Sequence, residues 1–161
     1  MFHIALYAPE IPSETGSIMR LCANTGCTLH LIHPLGFQLD STKLKRAGLD
    51  YRDIATINEY KNYADFLKKL SISSPNSVNL FALTTEVKDS RKYTEVQFQR
   101  GDIFLLGSEI RGLPNCILDS LIPEHKLFLP MQKNSRSLNF SNSAAIVMYE
   151  ALRQHSFAKL A

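Results

Sequence analysis

Nowhere in the 161 residues does an apolar run approach the ~20 that a membrane-spanning helix needs, so no membrane partner is expected. The N-terminus lacks the pattern of a secretory leader, which points to a cytoplasmic protein. Cysteine is scarce. Cys22, Cys27 and Cys116 make an odd set with no CxxC, which suits a reducing compartment and buried thiols better than a disulfide framework. His30 and His33 lie on or beside one strand at a spacing that tends to turn them opposite ways, so with the cysteines scattered no metal site is expected. Two phosphate cradles are also missing. There is no GxGxxG after the first strand and no GxxxxGK[ST], which removes the usual dinucleotide and P-loop classes. Ser108 follows Gly107 but sits in no GxSxG elbow, so a nucleophilic serine lacks support. Repeats, low-complexity tracts and linkers are absent. No large excess of one charge exists either: a net +3 and a pI near 8.8 tolerate an RNA partner without demanding one.

What is present is a hydrophobic content of 45%, enough for one domain spanning 1–161 with a proper core. Phe2 to Tyr7, Thr28 to Ile32, Ile54 to Ile57, Leu80 to Leu83, Ile103 to Leu106 and Leu127 to Leu129 read as strands. Short apolar runs without alternation suit parallel strands covered on both faces. Between them lie helical patterns. The first follows Pro12, with Ser13 or Thr15 as its cap and Gly26 as its stop. It sets Ile18, Leu21, Cys22 and Thr25 on one side, and Ser13, Ser17, Arg20 and Asn24 on another. A short basic helix capped by Ser41 carries Lys43, Lys45 and Arg46 as far as Gly48. Tyr63, Phe66, Leu67 and Leu70 mark a further amphipathic helix. A polar loop runs through Lys88, Arg91 and Lys92. The last helix, from about Ser141, is apolar all round between Ala144 and Met148, so it is either sandwiched in the domain or packed on a second subunit, and in a domain this small a subunit interface is expected. The fold class is therefore α/β: an open, mainly parallel sheet with helices on both faces.

The chemistry is expected where two loops leave neighbouring strand ends. One is Gly107-Ser108-Glu109-Ile110-Arg111-Gly112-Leu113-Pro114. The other runs from Pro130 to Asn139. Backbone amides, small side chains and few charges suit a ligand held by main-chain hydrogen bonds and apolar contact. Gly107 and Gly112 would let the backbone approach a flat base, with Leu83 and Leu129 against its faces.

Three ordered segments resemble the signature motifs of the SPOUT class of RNA methyltransferases. They are Pro9 to Arg20, Leu106 to Pro114, and Leu129-Pro130-Met131 with Ser135 to Asn142. With Leu21 to Gly26, His33 to Phe37 and Arg46 to Tyr51 added, the likeness covers nearly the whole chain and is strong for the small TrmL (YibK-like) branch. The resemblance implies a C-terminal trefoil knot, a homodimer, and S-adenosylmethionine as methyl donor, leaving S-adenosylhomocysteine. It implies transfer to the ribose 2′-hydroxyl of the wobble nucleotide in the anticodon stem-loop of leucine tRNA. The cofactor residues so implied are Leu83, Gly107, Leu129 and Ser137, with Thr84, Glu109, Met131, Leu138 and Asn139 shaping the pocket. Arg20 and Tyr149 are the implied catalytic residues. Arg20 would stabilise a phosphate or the developing alkoxide, since a guanidinium does not act as a base; Tyr149 has a second reading as a core tyrosine. The alternatives are another tRNA or rRNA site, a non-catalytic RNA-binding relative, and a flavodoxin-like nucleotide binder. The chain departs from the family in carrying Glu14 where asparagine is usual, and that carboxylate would repel a nearby phosphate.

Overall fold

The computed structural model describes residues 1–39, 55–73, 75, 79–158 and 160. Its strands are β1 (His3–Tyr7), β2 (Thr28–Ile32), β3 (Thr56–Tyr60), β4 (Leu80–Leu83), β5 (Arg91–Lys92), β6 (Ile103–Leu106) and β7 (Lys126–Phe128). Its helices are α1 (Pro12–Thr25), α2 (Tyr63–Lys69), α3 (Asn115–Leu118) and α4 (Phe140–Gln154). The strands form a single sheet in the order β3-β2-β1-β6-β4-β7-β5, with every pairing parallel.

The period of two along each strand sorts its side chains between two apolar layers. Ile4, Leu6, Leu29, Leu31, Phe104 and Leu106 point to one face, where Ile18, Met19 and Cys22 of α1 meet Ala144, Val147, Met148 and Ala151 of α4. Ala5, Ile32, Ala82 and Leu105 point to the other, under Phe66 of α2 and Ile117 of α3. Helices cover both faces, as the unalternating strands require. Buried Phe104 sits at the centre of an aromatic cluster with Phe2, Phe81 and Phe98. Among the described residues no helix is long and apolar enough to cross a membrane.

Helix α4 is in part sandwiched: Ala144, Val147 and Met148 are buried, while Ile146 and Tyr149 stay exposed. On α1, Ser13, Ser17, Arg20 and Asn24 do form the exposed side. Its cap differs from the expectation. Pro12 occupies the first turn and places Ser13 and Thr15 inside the helix, so the N-cap is Ile11, whose hydrocarbon side chain has no acceptor to offer. Gly26 ends it in the left-handed conformation at φ 69°.

Other expectations need correction. Of the third strand expected over 54–57, Ile54 lies outside the described residues; the strand observed is Thr56–Tyr60, and its exposed polar Thr56, Asn58 and Glu59 suit a sheet edge. Arg91 and Lys92 lie in a strand rather than a loop, paired with β7 at the opposite edge. The last strand begins at Lys126, and the first at His3. Cys22 and Cys27 are buried, but Cys116 is exposed, because α3 turns Ile117 inward instead. The basic helix from Ser41 to Gly48 and the Arg46 to Tyr51 segment lie outside the described residues.

Candidate active site

Parallel strands all end on the same side, and three of those ends build a cavity of about 750 Å³. Leu83 closes β4, Leu106 closes β6, and Leu129 follows β7. The volume falls within the roughly 300–1,000 Å³ usual for small-molecule sites.

The first wall is the turn after β6. Ser108 and Gly112 exchange backbone hydrogen bonds at 3.2 and 2.8 Å. The Ser108 hydroxyl accepts from the amides of Ile110 (3.3 Å) and Arg111 (3.1 Å) and donates to Glu10 at 2.5 Å. The Glu109 carboxylate accepts the amides of Glu10 (2.7 Å) and Ile11 (3.1 Å). This fixes the segment that enters α1. The glycine at 107 has a reason other than ligand approach. A Cβ there would lie 2.0 Å from the carbonyl carbon of Gly112 and 2.2 Å from the nitrogen of Leu113, so the turn closes on the space a side chain would fill. Gly112 is required by its φ of 69°.

The second wall is the stretch from Leu129 to Phe140. Asn139 ends it by capping α4: its Oδ1 accepts from the Asn142 amide at 3.0 Å and the Ser141 hydroxyl at 2.9 Å. Its Nδ2 donates to Glu14 at 2.8 Å, and the Ser141 amide donates to the other Glu14 oxygen at 3.0 Å. Partial burial acts to raise the Glu14 pKa, but the hydrogen bonds from Asn139 and Ser141 outweigh it and hold the carboxyl below its ordinary value. The carboxylate thus sits at the positive end of α4, which offsets part of the charge that would repel a phosphate. A third, smaller element is Thr84. Its amide donates to Leu127 at 2.9 Å, and its hydroxyl accepts from Glu86 at 3.1 Å.

Leu83, Thr84, Gly107, Glu109, Leu129, Met131, Ser137, Leu138 and Asn139 all line this one cavity. Arg20 and Tyr149 do not line it. Arg20 is on the exposed side of α1, and Tyr149 is exposed on α4 with its ring 6.4 Å from that of Phe157. Sequence reasoning missed Glu10 and the bonding role of Ser108. No local signal could have joined residues 98 positions apart. Ile11, Glu14 and Arg136 also line the cavity. Its apolar surfaces from Leu83, Leu113, Leu118 and Leu129, bordered by the polar turns, fit a nucleoside-bearing cofactor such as S-adenosylmethionine. Among the described residues no group of His, Cys, Asp or Glu is placed to hold a metal.

The whole fold, with this cavity at its strand ends, is that of the SPOUT class of methyltransferases, as its likeness to solved structures shows. A solved structure concerned with the 2-OH methylation of C/U34 on tRNA is 39% identical at a TM-score of 0.87, covering 98% of this chain and 97% of that one. An AdoMet-bound rRNA methyltransferase from Sinorhizobium meliloti, 22% identical, shares the fold at a TM-score of 0.80 over 94% of this chain and 56% of its own. Residues 1–149 match the SpoU rRNA Methylase family, and the chain belongs to it. Among curated relatives, a tRNA (cytidine(34)-2'-O)-methyltransferase from Methylovorus glucosotrophus is 52% identical over 98% of both chains.

Proposed function

We propose that this protein is a tRNA ribose 2′-O-methyltransferase that acts on the wobble nucleotide, position 34, of leucine tRNA in the cytoplasm. The observation that carries this reading is the convergence of the nine residues that the resemblance implies for the cofactor, drawn from four separate stretches of chain, on one cavity. Similarity over nearly the full length to a relative named for cytidine 34 supports the substrate. S-adenosylmethionine, when bound, supplies a methyl group already activated on sulfur. The chain must hold that donor and align a ribose hydroxyl with it. Leu83 and Leu129 offer apolar walls for the adenine, and the turns at Gly107 and Ser137 offer backbone groups. Arg20 supplies a fixed positive charge for the substrate phosphate or the oxygen that loses its proton.

The reading includes one domain over 1–161 with a C-terminal trefoil knot. It also includes a homodimer, which the exposed apolar side chains Ile146, Tyr149 and Phe157 support. In such a dimer the exposed Arg20 would serve the partner's cavity.

The test is methylation of leucine tRNA by the purified protein with S-adenosylmethionine, read by nucleoside mass spectrometry. A 2′-O-methyl group at position 34 is expected. With Arg20→Ala the rate at saturating tRNA should fall by roughly 10²–10³-fold, as when an oxyanion donor is removed. Near-normal turnover would refute the role given to Arg20. Methylation confined to another nucleotide would refute the substrate.

A further inference from the structure

The two cavity walls are fastened to the same end of α1, and the second fastening uses the residue that departs from the family pattern. Glu14 stands in the first turn of α1, half-buried, with one carboxylate oxygen on the Asn139 side-chain amide and the other on the Ser141 backbone amide. Asn139 cannot reverse its amide to suit a different partner, because its oxygen already caps α4 through Asn142 and Ser141. Two donors in fixed orientations therefore face residue 14, and a carboxylate is the side chain of that reach that accepts both. An amide would match one donor and oppose the other with its own NH₂.

We propose that Glu14 is a positioning residue for the cofactor: a latch that holds the 131–139 wall over the cavity by gripping its Asn139 end. This deepens the reading of the cavity as the S-adenosylmethionine site and rests on it. The latch acts on ligand retention rather than on the chemical step. The approach of α1 to the first wall is secured separately, by Glu109 on the amides of Glu10 and Ile11. Removing the latch should therefore loosen one wall and leave the start of α1 in place.

The experiment compares the full-length protein with Glu14→Gln by calorimetric titration of S-adenosylhomocysteine. It also measures KM for S-adenosylmethionine and kcat at saturating donor. A wall whose side chains the ligand must order on binding predicts a dissociation constant and a KM raised about tenfold, with kcat within about threefold. Hydrogen exchange over 137–141 should quicken in the variant without ligand. If Glu14→Gln compromised folding, Glu14→Asp, which keeps both acceptors on a shorter stem, would carry the same comparison. Equal affinity in protein and variant, or a loss of kcat and melting temperature with affinity unchanged, would overturn the latch alone. Absence of binding by the unsubstituted protein would overturn the reading of the cavity as well.

Discussion

The two walls of the cavity are built on opposite plans. The turn from Gly107 to Gly112 closes on itself through the Ser108 backbone and hydroxyl, and Ser108 is buried. The stretch from Gln132 to Asn139 is exposed throughout; Ser135 donates to Gln132 within it, and its anchorage lies at the far end, on Glu14. One wall is shaped before any ligand arrives. The other has side chains still to order, at a cost of roughly 0.5–1.5 kcal/mol for each one immobilised on binding. A preformed wall gives shape selectivity, and a tethered wall lets ligand enter and leave. Substitutions in the first should therefore damage fold and binding together, and those in the second binding alone.

The largest effect is expected from Gly107→Ala. Its Cβ would meet backbone atoms of Gly112 and Leu113 at 2.0–2.4 Å, and backbone cannot step aside as a flexible side chain can. Overpacking of this kind costs about 1–3 kcal/mol or more. Denaturant unfolding should show that loss, and S-adenosylhomocysteine binding should vanish with it. At Gly112 the added Cβ would meet nothing within 4 Å, so Gly112→Ala should cost only the left-handed strain, about 1–2 kcal/mol. If Gly107→Ala melted like the unsubstituted protein, the first wall would not be the closed turn described.

Acid offers a second way to separate scaffold from tether. Outside the cavity lining, His30 is buried, 3.0 Å from His3 and 2.8 Å from the Tyr60 hydroxyl. Burial first, and the neighbouring His3 second, push its pKa down from 6.5 to about 4. The unfolded chain therefore binds this proton more readily than the folded one. The stabilisation is complete above about pH 6.5 and is lost progressively toward pH 4, with a slope approaching about 1.4 kcal/mol per pH unit. His30→Gln should flatten that dependence. Glu14 stays ionised over the same interval because its pKa is lowered. Ligand affinity measured well below the melting temperature should thus remain level from pH 7 to 5.5 while stability declines. A parallel fall of both would tie the tether to the scaffold and remove the distinction.

What could be read from sequence follows the same division between centre and edge. The strands Leu80–Leu83 and Ile103–Leu106 were legible with these bounds, because central parallel strands are short unbroken apolar runs between turn residues, and Thr28–Ile32 was legible although His30 interrupts it. The edges were not. Two charged residues, Arg91 and Lys92, carry no strand pattern, although lysine at an edge is a common guard against pairing with another chain. At the site, the resemblance named nine of the lining residues but not the bonds between them. The hydrogen bonds joining Glu10 to Ser108 and Glu14 to Asn139 span 98 and 125 positions; the first depends on β6 lying beside β1, and the second on α4 packing against α1. Glu14 was legible as an oddity and not as a contact.

Leu138→Ala probes the tethered wall with the smallest expected effect. Leu138 lines the cavity yet is 40% exposed, so the unliganded fold gains little from it, and its removal should change stability by no more than about 0.5 kcal/mol. A ligand in the cavity would cover more of that side chain, and each buried methylene contributes about 0.8 kcal/mol. Truncation to alanine should then weaken S-adenosylhomocysteine binding by roughly fivefold to tenfold. The informative quantity is the ratio of the two losses. Gly107→Ala changes stability and affinity together because the first wall belongs to the fold, whereas Leu138→Ala should change affinity with the melting temperature unmoved. A drop in melting temperature as large as that of Gly107→Ala would mean that the second wall is packed as tightly as the first, and the cavity would then be rigid on both sides.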